Sequence, residues 1–280
     1  MPRRTLLIGC GYVGLPLARE LLARGDMVDG WVHSPESAMV LEGEGFRRII
    51  TGSVGQREAW RLVDTRYDLV IHAASSGGGG LKTYKEVFVD GARFINECQP
   101  QARRILVSST SVYGQTDGEI VTEDSQAAGG NGPSQVLLFA ESEGLRNGAI
   151  VVRASGIYGP GRRVLFEKLR RGEAVIDGDG SRWLNQIHRD DLVAAILYLV
   201  DHGQKAEIYN ATDDEPVRLR DYYTWCAEFL SRPLPPYGPV DPKRKRGLTS
   251  KRVSNAKLRG LGWVPKFPTF REGHTGIGRN

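Results

Sequence analysis

Cysteine is scarce in this chain: Cys10, Cys98 and Cys226 are the only three, and no two stand in a CxxC spacing. Scattered single cysteines argue against a disulfide framework and a zinc site, and for a reducing compartment. Long apolar runs are missing as well. A membrane helix needs about 20 such residues, whereas Leu192 to Val200 stops at Asp201. Arg3-Arg4 followed by Leu7-Ile8-Gly9-Cys10 imitates a lipoprotein signal, but Thr5 to Gly9 is too short for its apolar region. No internal repeat, no Ser-His-Asp signature of a hydrolase and no Cys/His cluster for a metal can be found. A cytoplasmic protein with no membrane partner and no metal is expected.

Strong charge bias is also lacking. The 38 Lys and Arg against 33 Asp and Glu leave a net charge of +5, with a pI near 9.1. Such a balance suits anionic ligands without pointing to nucleic acid, which is not an expected partner. Part of the excess is local, in Lys243-Arg244-Lys245-Arg246 and Lys251-Arg252. A basic run in a Pro-rich loop is ordinarily solvated, and its functional alternative is a phosphate-bearing small molecule. The 280 residues, 40% hydrophobic and 25% charged, describe a globular chain of one large α/β unit or a core domain with a smaller lobe. A homodimer stays open as its assembly.

What is present is concentrated at the start. Leu6-Leu7-Ile8 has the length and branching of a buried strand, and from Leu15 the apolar positions take helical spacing at Leu17, Ala18, Leu21 and Leu22. Between them stands Gly9-Cys10-Gly11-Tyr12-Val13-Gly14. A strand that becomes a helix through GxGxxG is the dinucleotide fingerprint: Gly9 makes the tight turn, Gly11 admits a pyrophosphate and Gly14 permits close packing. The helix N-terminus then offers N–H groups and partial positive charge to phosphate.

Met27 to Val32 reads as the second strand, after a helix closed by Gly25. A carboxylate at its end would hold the ribose 2′-hydroxyl of NAD. The strand instead ends Val32-His33-Ser34, and Asp29 comes three residues too early. His33 and Ser34 suit a 2′-phosphate, which tips the expectation to NADP, with NAD the alternative. Asp68 to Ala74 is a further strand ending in the small residues Ala73 and Ala74, across which a cofactor can lie. Ser75 to Gly80 is a glycine-rich loop, either simply mobile or a lid. Helices are expected at 35–44, 84–98, 134–146, 164–171 and 192–200, and strands at 46–50, 104–107, 149–153 and 208–210. This alternation implies a parallel, doubly wound sheet.

Several stretches together resemble the extended short-chain dehydrogenase/reductases, the epimerase/dehydratase family of nucleotide-sugar enzymes. They are GCGYVG at 9–14, DLVIHAA at 68–74, SSTSVYG at 108–114, VRASGIYGPGR at 152–162, NQIHRDDLVAA at 185–195 and IYNATDDEP at 208–216. The tail SKRVSNAKLRGLGW looks like an atypical branch of the family. The resemblance implies cofactor contacts from Gly9, Gly11, Tyr12, Val13, Gly14, His33, Ser34, Ala73, Ala74, Ser108, Ser155 and Gly156. It also implies a substrate-orienting serine at Ser109, with Tyr113 next to it in the same motif. The expected architecture is a Rossmann-type α/β domain over 1–160 and a smaller C-terminal α/β substrate lobe over 161–280, with segments near 185–210 packing back on the first domain.

The chain departs from the family at the groups that move protons. The family's Tyr and Lys, four residues apart on one helix, fall here on Pro133 and Leu137, and its Asn falls on Phe88. None of the ten tyrosines has a lysine four residues on. Tyr113 can replace the missing Tyr or simply pack. His188 can be an acid/base or a structural residue beside a helix capped by Asp190 or Asp191. Arg153, Arg162 and Asn185 are candidates for substrate contact. Two readings follow: an atypical NAD(P)-dependent oxidoreductase or epimerase acting on a nucleotide-sugar-like or other small polar substrate, or a non-catalytic redox sensor or scaffold.

Overall fold

In the computed structural model, residues 1–128, 132–240 and 249–278 are described; the basic run Lys243–Arg246 lies outside them. Strand and helix alternate from the start: β1 Arg4–Ile8, α1 Gly14–Ala23, β2 Met27–Val32, α2 Pro35–Met39, β3 Arg48–Thr51, α3 Arg57–Trp60 and β4 Leu69–His72. There follow α4 Leu81–Lys85, a π-helical turn Glu86–Asp90, α5 Gly91–Cys98, β5 Arg103–Ser109, β6 Glu119–Val121, α6 Pro133–Arg146 and β7 Ile150–Ala154. Beyond these the elements shorten: β8 Gly156–Tyr158, α7 Val164–Arg170, β9 Ile176–Asp177, β10 Trp183–Leu184, β11 Gln186–His188, α8 Arg189–His202 and β12 Ile208–Ala211. The last are β13 Val217–Arg218, α9 Leu219–Leu230, β14 Tyr237–Gly238, β15 Lys251–Val253, α10 Ala256–Gly260 and α11 Phe270–Ile277.

Local chemistry explains most of these bounds. α1 buries Leu17, Ala18 and Leu21 on one face and ends before Gly25, whose φ of +87° no side chain would favour. Ser34 caps α2 by accepting from Ser37 N–H, and Pro35 occupies its first turn. The helix expected at 84–98 is interrupted by the π turn, which carries Phe88. Helix α9 is absent from the sequence expectation, although Leu219, Tyr222, Tyr223, Cys226 and Ala227 are its buried residues at helical spacing. Its aromatic and Cys residues are middling helix formers, so burial rather than propensity decides it.

Seven strands form one sheet in the order β12-β7-β5-β4-β1-β2-β3, and β5, β4, β1, β2 and β3 pair in parallel. The chain runs outward from β1 to β3, then returns to β4 and runs the other way. A crevice therefore opens between the carboxyl ends of β1 and β4, where doubly wound sheets take ligands.

The chain divides into two compact units whose segments interleave, in place of the linear boundary expected at 160. The first comprises Met1–Val112, Ala127–Arg153 and Val193–Tyr209; the second comprises Tyr113–Gln126, Ala154–Leu192 and Asn210–Asn280. The cause is topological: the sheet recruits β7 and β12 after the chain has already left it. In the first unit Leu6, Leu17, Leu21 and Ile95 are wholly buried, each worth roughly 1.5–3 kcal/mol. Trp31 and Trp60 pack with ring centroids 4.8 Å apart, their indole N–H groups donating to Gly52 O and Val54 O. Asp29, also buried, accepts from Arg47 Nε at 2.8 Å and from Tyr67 Oη. Burial and this carboxylate push the Tyr67 phenol up to about 12.

The second unit centres on His274 of α11. Its ring stacks on Phe166 at 4.7 Å, and its Nε2 lies 3.0 Å from Tyr222 Oη. Burial, aided by Arg163 and His188, holds its pKa down to about 3. An unfolded histidine titrates near 6.5, so between these values only the unfolded chain takes the proton. Stability then falls as pH drops below 6.5, by about 1.4 kcal/mol per pH unit from this group. His72 and His188, also held neutral by burial, act in the same direction. Urea unfolding between pH 7 and 5 is expected to show this slope, lessened by about one proton's worth in His274→Phe. An unchanged slope would refute the assignment.

Candidate functional site

The fingerprint folds as its glycines require. Gly9 has φ +93°, and a Cβ there would stand 2.3 Å from the backbone of Ala74. A Cβ at Gly14 would stand 2.0 Å from Gly9 O, so the close approach is between the first turn of α1 and the loop itself. Gly11 differs: nothing lies within 4 Å of the position its Cβ would take. The backbone there faces an open cleft of about 910 Å³, its mouth included, lined from all four neighbouring strand ends.

Gly9 and Gly11 line this cleft after β1, His33 and Ser37 after β2, Ser53 after β3, and Ala73 to Gly77 after β4. It opens at the switch point of the sheet, where doubly wound folds take ligands. Gly9, Gly11, His33, Ala73 and Ala74 thus come together as expected from the sequence. Ser34 does not join them, because its hydroxyl is taken up in capping α2, and Ser37 one turn later lines the cleft instead. Trp31, Ser37, Ser53, Thr83 and Glu86 are lining residues missed by the sequence reading. Only the ends of β2 and β3 could have signalled the first three. Tyr12 is half-buried in the same loop, and Val13 precedes α1 as its N-cap.

Ser109 ends β5, half-buried, with Oγ accepting from Ser111 N–H at 3.1 Å. Its neighbour Ser108 turns the other way and donates to Glu141 Oε1 at 2.5 Å. Glu141 in turn receives Arg153 Nη2 at 2.7 Å, and both charged side chains are 4% exposed. Arg153 is therefore spent on an internal ion pair rather than available to a substrate phosphate. Pro133 opens α6 and Leu137 is buried on its inner face. Phe88 and Leu137 line one small apolar cavity together with His72, Leu106 and Ala140. His72 Nε2 lies 2.8 Å from Val87 O and its ring stacks on Phe88. Its burial lowers its pKa, so the imidazole is neutral and gives no charge to this cavity.

The remaining candidates belong to the second unit. Tyr113 is fully buried, its hydroxyl donating to Asn210 Oδ1 at 2.9 Å. Asn185 is engaged at both ends, accepting from Val253 N–H at 2.7 Å and donating to Lys251 O at 2.9 Å. It fixes β15 rather than presenting a free amide. His188 packs on Phe267 at 4.2 Å, and its Nδ1 accepts from Asp190 N–H at 3.2 Å. Among the described residues its Nε2 has no hydrogen-bond partner. Asp191 does not cap α8; it accepts from Lys266 N–H and Phe267 N–H, so it ties the tail to the helix start. Arg162 is exposed on a turn closed by its own N–H to Gly159 O. Ser155 is buried, and Gly156 N–H donates to Asn185 O at 3.0 Å. No group of three or more His, Cys, Asp or Glu among the described residues is placed to hold a metal, and no helix of theirs is long and apolar enough to cross a membrane.

Comparison with known proteins places the chain in a family. A profile of the NAD dependent epimerase/dehydratase family matches residues 6–212. The protein YeeZ of Escherichia coli (strain K12) is 24% identical over 279 residues, covering 95% of this chain and 97% of its own. A dTDP-4-dehydro-6-deoxy-D-allose reductase of Streptomyces bikiniensis is 26% identical over 290 residues, covering 88% of this chain and 89% of its own. Among solved structures, the DesIV double mutant of Streptomyces venezuelae, a dTDP-glucose 4,6-dehydratase with NAD and DAU bound, superposes with a TM-score of 0.80 at 21% identity. It covers 96% of this chain and 94% of its own.

The buried pair yields a stability test. Removing one partner of a buried ion pair costs about 3–5 kcal/mol, so Glu141→Gln is expected to lower unfolding free energy by that order in urea titration. A loss under about 1 kcal/mol would show that the pair is not carrying charge in the folded chain.

Proposed function

Because the chain belongs to the NAD dependent epimerase/dehydratase family, we propose that its first unit binds a nicotinamide dinucleotide. In this reading the protein is an oxidoreductase or epimerase of a nucleotide-sugar-like or small polar substrate. The observation that carries the reading is the cleft at Gly11: open space where a side chain would intrude, at the end of α1 and at the reversal of the strand order. The free N–H groups of the first turn of α1 would hold the pyrophosphate. His33 and Ser37 would face the adenosine ribose, and with no carboxylate at the end of β2, NADP is the preferred form over NAD. When bound, the dinucleotide supplies reversible hydride exchange with a carbon bearing the reacting oxygen.

The chain's own contribution is unusual for the family. With Pro133 and Leu137 in place of the Tyr and Lys, α6 offers no proton and no ammonium to the reaction. Ser109 keeps a hydroxyl whose hydrogen has no acceptor among the described residues, since Oγ only accepts from Ser111. It is the group proposed to orient the substrate oxygen. Tyr113 reaches a substrate only by giving up Asn210, and His188 stays neutral in its apolar surroundings. Positioned acid/base groups contribute about 10²–10⁴-fold, so slow turnover is the expected signature. The second reading, a dinucleotide-binding sensor without turnover, is favoured by Phe88 and Leu137 closing one apolar cavity.

Gly11→Val is expected to fold normally, since the position is open, and to lose NADPH and NADH alike in a fluorescence titration. Unchanged affinity in the folded variant would sink the dinucleotide assignment, and a tenfold preference of the native protein for NADH would sink the NADP form. Given turnover, Ser109→Ala is expected to cut it by about tenfold, the size of one catalytic hydrogen bond. Leu137→Ala should instead cost about 2–5 kcal/mol of stability with little change in rate. Cofactor binding without reaction on nucleotide-sugar or carbonyl substrates would hand the function to the sensor reading.

A further inference from the structure

One wall of the cleft in the first unit is the π turn Glu86–Asp90, and it brings a negative charge to the lining. Glu86, the first residue of the turn, is the only acidic residue among those described that line the cleft. It is half-buried, and among the described residues its carboxylate has no hydrogen bond and no ion pair. The turn itself is held by its neighbours. A Cβ at Gly55, in the loop after β3, would stand 2.4 Å from Glu86 O, so the two backbones touch. From β4, His72 Nε2 lies 2.8 Å from Val87 O, and its Nδ1 accepts from Ala74 N–H at 3.4 Å. An imidazole protonated at Nε2 alone satisfies both contacts. Glu86 therefore stands on a fixed element, and π turns occur frequently at functional sites.

A carboxylate can only accept hydrogen bonds, and it repels a phosphate a few ångströms away. The donors that a dinucleotide offers it are neutral: the ribose hydroxyls, the amine of adenine and the amide of nicotinamide. The order of the strand ends decides among them. Pyrophosphate belongs at Gly11 and the first turn of α1, and the adenosine ribose at His33 and Ser37 after β2. The base carried by that ribose reaches the next strand end, where Gly52, Ser53 and Val54 line the cleft. Glu86 backs onto this same loop through Gly55. The chain places no other carboxylate there, since β3 runs out through Thr51-Gly52-Ser53-Val54.

We propose that Glu86 is the residue that selects the base, its carboxylate accepting a hydrogen bond from the exocyclic 6-amine of adenine. The inference rests on the dinucleotide reading of the cleft and extends it from the phosphates to the base. A base without that amine leaves the carboxylate with no donor to meet. The role is one of recognition, and Glu86 moves no proton.

The test uses the full chain and two pairs of ligands in a fluorescence titration. Each pair is NADPH or NADH beside its counterpart in which purine replaces adenine, lacking the 6-amine and differing in nothing else. The native protein is expected to bind the adenine form at least tenfold more tightly, the effect of one hydrogen bond to a charged acceptor. Glu86→Ala removes the acceptor at a half-buried position, so the variant is expected to fold, and its ratio of affinities is expected to fall to within twofold. Glu86→Gln retains a neutral acceptor and is expected to keep a ratio of a few-fold. A purely structural role for Glu86 would weaken both ligands alike and leave the ratio at its native value. A native ratio near one, or a ratio that survives Glu86→Ala, would overturn the assignment while leaving the dinucleotide reading in place. Binding of none of the four ligands would overturn both.

Discussion

The contact on which the rest depends is between backbones. The turn after β1 lies so close to the end of β4 that Gly9 has no room for a single methyl group against Ala74. The first turn of α1 then presses on the Gly9 carbonyl through Gly14. These approaches bring the carboxyl ends of β1 and β4 together at the place where the strand order reverses, and they aim the N-terminus of α1 into the crevice. Hydrophobic burial of β1 fixes the strand, but it is the absence of two side chains that shapes the cleft.

Around that cleft the polar groups divide by role. Buried Asp29 and Tyr67 and the exposed Arg47 form a network on β2 and its neighbours, well before the strand end. Ser108, Glu141 and Arg153 form another that ties β5 to α6 and β7. In both, a carboxylate in low dielectric is satisfied by several donors, the condition under which buried charge is tolerated. Helix α6 is thereby anchored by Glu141 while its Leu137 fills apolar space. On this helix, where the resemblance would place a Tyr and a Lys, Leu137 and Glu141 are both taken up in packing.

The second unit shows the opposite balance. His188, His274, Tyr158 and Tyr222 are buried among aromatic rings, and Lys251 is buried with one hydrogen-bond partner among the described residues, Thr249 Oγ1.

Much of the first unit was legible in the sequence. GCGYVG between an apolar run and an amphipathic helix determines a strand, a tight turn and a helix by local sterics, and the alternation that follows determines a doubly wound sheet. Equally plain were Pro133, Leu137 and Phe88 where the resemblance places Tyr, Lys and Asn, because a proline or leucine has no proton to give whatever surrounds it. Tertiary structure decided the rest. Whether Arg153 meets a substrate or Glu141, and whether Asn185 is a ligand or a clamp on β15, depend on which distant residues the fold brings beside them; that Ser37 and not Ser34 lines the cleft depends on how α2 is set after β2. The interleaving of the two units depends on strand order, which no local pattern encodes. Lys251 shows the same division: the sequence supplies a lysine in a basic tail, and only folding removes it from water and hands its ammonium to Thr249.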